Sequence, residues 1–82
     1  MMNKEHLLIF FSDFLMARGI ERTDEALLNF NFVASGLLDS FEVLSMIMEL
    51  ELISGVKLTP LQLVDEKNAT VFGLVSTILE SL

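Results

Sequence analysis

Cysteine is absent from this 82-residue chain, and so are tryptophan and tyrosine. Without thiols there is neither a disulfide framework nor a thiolate metal site, and such a chain is at home in a reducing cytosol. Cations are scarce: five Lys and Arg stand against twelve Asp and Glu, for a net charge of −7. Phosphate backbones demand clustered cations, so a nucleic-acid partner is not expected. The single histidine, His6, has no cysteine or carboxylate cluster around it, and a surface or capping role suits it better than a ligand role. There is no Ser-His-Asp set, no glycine-rich phosphate loop and no metal-ligand spacing. Nothing in the chain acts as an acid, base or nucleophile in its own right, so no catalytic residue and no metal are expected, and the chain reads as no enzyme.

Long hydrophobic runs are also missing. The longest candidate, Val43 to Ile53, is cut by Ser45, Glu49 and Glu51, and a membrane-spanning helix needs about 18 apolar residues or more. The first residues, Met1 to His6, lack the basic region and small-residue cleavage site of a secretory signal. A soluble, cytoplasmic monomer with no membrane span is the expectation.

What is present in quantity is apolar mass. Hydrophobic residues make up 52% of the chain, and seven phenylalanines are its bulky members. A chain this short buries a modest share of its surface, so that richness is what one domain over residues 1–82 requires.

Helical periodicity accounts for most of it. Leu7, Leu8, Phe11, Phe14 and Leu15 fall at i, i+3, i+4 spacing, and Gly19 stands where a helix over residues 3–18 ends. Between Ile20 and Leu38, Thr23 or Asp24 opens at most a short helix, and the remainder reads as irregular chain held to the core by Phe30, Phe32 and Val33. Asp39 and Glu42 match a reciprocal capping pattern, and the helix behind them is apolar on nearly every side until Gly55. Such a helix belongs in the middle of a bundle. Thr59-Pro60-Leu61-Gln62 opens a short third helix. Thr70 caps a last helix with Val71, Leu74, Val75, Ile78, Leu79 and Leu82 on one face, in which Gly73 permits a close helix contact. The expected fold is all-α: four helices, long, long, short and medium, with a long first loop.

The informative stretch is Gly36-Leu37-Leu38-Asp39-Ser40-Phe41-Glu42. It sets a serine hydroxyl on the first turn of a helix, where backbone N–H groups lack intrahelical acceptors and the dipole is positive. A phosphate ester on Ser40 sits where anions are tolerated best. Gly36 provides the turn, and Leu37 and Leu38 anchor the loop. As an isolated Asp-Ser pair, the same residues are an ordinary helix start.

Taken together, Gly36-Leu37-Leu38-Asp39-Ser40 and the hydrophobic residue after it resemble the attachment motif of acyl and peptidyl carrier proteins. The resemblance covers the whole chain, strongly from Phe32 to Leu79 and weakly in the first helix. It extends to the helix order, the long first loop, the Thr-Pro start of the short helix and the Asn68-Ala69-Thr70-Val71 stretch. It implies a four-helix carrier-protein bundle, and 4′-phosphopantetheine transferred from coenzyme A to Ser40. It also implies three kinds of partner: a phosphopantetheinyl transferase, an adenylating ligase or acyltransferase that loads the arm, and a downstream acyl-accepting enzyme. Leu-Leu-Asp-Ser is closer to D-alanyl and other stand-alone aminoacyl or peptidyl carriers than to fatty-acid carriers, which have Gly-Ala-Asp-Ser-Leu. In Glu49-Leu50-Glu51-Leu52-Ile53-Ser54, Leu52 and Ile53 replace acidic positions of the fatty-acid carriers, and Ser54 stands near an expected aromatic.

Roles carried over by the resemblance are attachment at Ser40 and partner contact at Asp39, Phe41, Glu42, Glu49 and Glu51. Asp39 also reads as the helix cap, and Phe41 equally as core. The three glutamates read equally as solvated charges. Met46 and Met48 fit an adaptable docking surface or plain packing. The rival reading is an unmodified helical module that holds a partner helix in an apolar groove.

Overall fold

The computed structural model describes residues Met2 to Leu82. Five α-helices follow one another: α1 (Lys4–Met16), α2 (Asp24–Leu28), α3 (Ser40–Ser54), α4 (Pro60–Val64) and α5 (Val71–Glu80), with a 3₁₀ turn (Glu66–Ala69) between the last two. No strand forms among the described residues, and the fold class is all-α as expected. The long, long, short, medium order corresponds to α1, α3, α4 and α5. The five-residue α2 lies inside the long first connection.

The helix boundaries follow local chemistry. The side chain of Asn3 accepts the His6 N–H at 2.9 Å and opens α1. At its other end the Ile20 N–H reaches back to the Leu15 carbonyl at 2.9 Å, across Gly19 at φ +77°. That six-to-one bond closes the helix in Schellman fashion, and α1 ends at Met16 rather than Arg18. Thr59 and Gln62 form the capping box expected for α4, with Pro60 at the first helical position. Thr70 accepts the Gly73 N–H at 3.1 Å and opens α5.

The core is assembled around α5. Val71, Leu74, Val75 and Ile78 are buried there against Leu7, Phe11, Phe14 and Leu15 of α1. Phe11 stacks on Phe32 with centroids 5.6 Å apart, and Phe30 meets Phe32 edge-on at 5.8 Å. Each such side chain removed from water contributes about 1.5–3 kcal/mol. Gly73 lies so close to the 3₁₀ turn that a Cβ there would fall 1.4 Å from the Lys67 carbonyl oxygen. The close approach expected at Gly73 exists, but its partner is this turn and not a neighbouring helix. Beside it Thr77 donates to the buried Asn68 side chain at 2.6 Å, and Asn68 donates in turn to the Gln62 carbonyl at 2.8 Å.

Three further expectations are corrected. α3 does not occupy the middle of the bundle; only Met46, Ile47 and Leu50 are buried, while Phe41, Leu44, Met48, Leu52 and Ile53 are exposed. The chain has volume enough to surround one helix, and α5 takes that place. Val33 is 71% exposed and pins nothing, because the turn that buries Phe32 directs its neighbour outward. Leu37 is exposed too, so Leu38 alone of the pair anchors the loop.

The first connection is less irregular than its sequence suggests. Asn31 accepts the N–H groups of Val33 and Ala34 at 2.9 and 2.7 Å, making a side-chain-closed turn. Flanking it, Phe32 N–H donates to the Ala69 carbonyl at 2.7 Å and Val71 N–H to the Phe30 carbonyl at 3.1 Å. This antiparallel bridge, Asn31 with Thr70, hangs the loop from the start of α5.

Candidate functional site

The segment that singled itself out in sequence sits at an exposed corner where the first connection turns into α3. Gly36 at φ +69° takes the left-handed conformation that a side chain disfavours, and reverses the chain. Leu38 then inserts into the core, and Asp39 follows as an extended N-cap. Ser40 is the first helical residue of α3 and is exposed.

The expected capping box is formed in full. Asp39 Oδ1 accepts the Glu42 N–H at 2.8 Å, and Glu42 Oε1 accepts the Asp39 N–H at 3.0 Å. The box leaves the backbone N–H groups of Ser40 and Phe41 with no acceptor among the described residues. They belong to the positive end of a 15-residue helix. The hydroxyl of Ser40 makes no hydrogen bond among the described residues, so its oxygen is available for chemistry from outside.

The other sequence-singled residues spread along α3. Phe41 is 83% exposed, an apolar ring in water beside the serine. Glu42 serves the cap and also meets Arg18 Nε at 3.3 Å. Glu51 is turned to the loop that follows, where its Oε2 accepts the Leu58 N–H at 2.8 Å. Glu49 is exposed and pairs with nothing among the described residues. Of the two methionines, Met46 is in the core and Met48 is on the surface. Asp39, Ser40, Phe41 and Glu42 thus come together at one corner, and Glu49 and Glu51 lie along the helix.

Two features of the corner escaped the sequence. One is Arg18, whose contact with Glu42 joins residues far apart in the chain. The absence of any Lys or Arg between Asp24 and Val56 meant that a partner for Glu42 had to come from outside that span. The other is an apolar cleft of about 920 Å³ that opens beside Ser40. Val43, Leu44 and Ile47 of α3 line one wall, and Leu63 and Val64 of α4 the other. α4 buries none of its own residues, which keeps the cleft open.

No helix among the described residues is long and apolar enough to cross a membrane. No group of three or more His, Cys, Asp or Glu side chains that could hold a metal occurs among the described residues. No family model matches the chain, and neither does any curated protein or solved structure.

Proposed function

We propose that the chain is a carrier protein, with 4′-phosphopantetheine attached through Ser40, and that it shuttles thioester-linked acyl or aminoacyl groups between enzymes. The observation that carries this reading is an exposed, unbonded serine hydroxyl on the first turn of a long helix, beside two backbone N–H groups without acceptors. The residues fit the group. An esterified phosphate on Ser40 lies at the positive helix end with donors to spare, and the adjoining cleft accepts apolar atoms. When attached, the arm supplies a terminal thiol. The chain's own part is to hold the serine outward, to keep the helix start rigid through Asp39 and Glu42, and to present a recognition surface along α3. Tethering then raises the local concentration of the carried group at each docked enzyme.

On this reading the five helices form a carrier-type four-helix bundle with α2 as an addition to the long loop. The partners are a phosphopantetheinyl transferase, an adenylating ligase or acyltransferase, and a downstream acceptor, all met in the cytoplasm. Phe41 at the corner and Glu49 farther along α3 are the sequence-singled residues left free to meet them, since Asp39, Glu42 and Glu51 are engaged within the chain.

Incubation with coenzyme A and a broad-specificity phosphopantetheinyl transferase, followed by intact-protein mass spectrometry, tests the proposal. One adduct is expected on the wild type and none on Ser40→Ala. A wild-type protein that stays unmodified overturns it. A second reading, an unmodified module that binds a partner helix, draws on the exposed apolar side chains of α3. It gains if no adduct forms.

A further inference from the structure

Among the described residues, α3 has one polar contact with any residue outside itself and its flanking loops. It is made by Arg18, in the turn that closes α1. The guanidinium lies 3.5 Å from the centroid of the Phe14 ring, donates to the Phe14 carbonyl at 3.0 Å, and places Nε 3.3 Å from Glu42 Oε2. Phe14 is buried, so the partly exposed guanidinium rests on a ring fixed in the core. Glu42 in turn uses its other oxygen to hold the Asp39 N–H. Both carboxylate oxygens are therefore engaged, one by Arg18 and one by the residue that precedes Ser40.

Building on the reading of Ser40 as an attachment point, we propose that Arg18 is a positioning residue for that modification and acts through Glu42. The planar fork of arginine stacks, donates to a carbonyl and meets a carboxylate at once, which an ammonium group does not reproduce. Without it the Glu42 side chain is free to swing off the Asp39 N–H. The first turn of α3 then frays, and the serine oxygen samples orientations in which it is not presented to a transferase.

The test is the kinetics of Ser40 modification by a phosphopantetheinyl transferase at saturating coenzyme A. Wild type is compared with Arg18→Ala, Glu42→Gln, the double variant and Arg22→Ala, with amide exchange at Asp39 followed in parallel. Arg22 matches the charge loss but meets no carboxylate among the described residues. Arg18→Ala is expected to lower kcat about threefold, the scale of a partly exposed ion pair. KM for the carrier is expected to stay unchanged, and Asp39 exchange to speed up. Arg22→Ala is expected to do neither. Because the effect runs through Glu42, the double variant is expected to be no slower than Glu42→Gln alone. A wild-type rate in Arg18→Ala overturns the proposal, as does a change confined to KM or an undiminished loss in the Glu42→Gln background. Each of these leaves the reading of Ser40 standing. Absence of any adduct on the wild type overturns both.

Discussion

α3 and α5 are both apolar helices opened by a side-chain cap, and they meet different fates. In α5 the apolar residues gather on one face, and Val71, Leu74, Val75 and Ile78 are buried there. In α3 they run all round the helix, and only three of its residues are buried. Apolar content therefore does not select the central helix of this bundle. What selects it is the ability to be approached from several sides. α5 has Gly73, which admits the backbone of the 3₁₀ turn, and Thr77, which bonds the turn's buried asparagine. α3 has large side chains in all directions and no such approach. Its outer face stays in water, which is where a surface for other proteins has to be.

That contrast puts the largest expected effect on stability at Gly73→Ala. A methyl group placed 1.4 Å from the Lys67 carbonyl oxygen forces the turn off α5. A loss of about 4 kcal/mol, the range in which a named backbone clash is the cause, is expected in urea unfolding. A loss below about 1 kcal/mol, the size of an ordinary substitution, would show that the turn moves away freely. A middle-sized effect is expected from Thr77→Val, which keeps the shape and deletes the hydroxyl that bonds Asn68. Leaving a buried amide oxygen without its donor costs about 1–3 kcal/mol, measurable by the same unfolding. The smallest effect is expected on α3. Leu52 is 83% exposed, so Leu52→Gln is expected to change stability by no more than about 0.5 kcal/mol. A larger loss would mean that this face is covered in solution, and sedimentation would then show a second copy.

How far the sequence anticipates this structure depends on the range of each interaction. Features set within four residues were legible: the Asp39–Glu42 and Thr59–Gln62 boxes, the Thr70 cap, and the glycine ends of α1 and α3. The position of Ser40 on a first helical turn was legible for the same reason. The orientation of α3 was not, because a helix apolar on every side carries no periodic signal of which side packs. The 3₁₀ turn escaped because four residues are too few for a pattern. The Arg18–Glu42 pair and the Asn31–Thr70 bridge join residues distant in sequence, and no local rule connects them. The cleft was equally invisible, since it is a gap between α3 and α4 and belongs to neither helix alone.

The bridge between Asn31 and Thr70 bears on how the serine corner moves. The two amides that hold it, of Phe32 and Val71, reach carbonyls on opposite stretches of chain, so separating the two stretches breaks both bonds. The residues leading to Ser40 are tethered to the most deeply packed helix of the molecule, and the tether ends a few residues ahead of the serine.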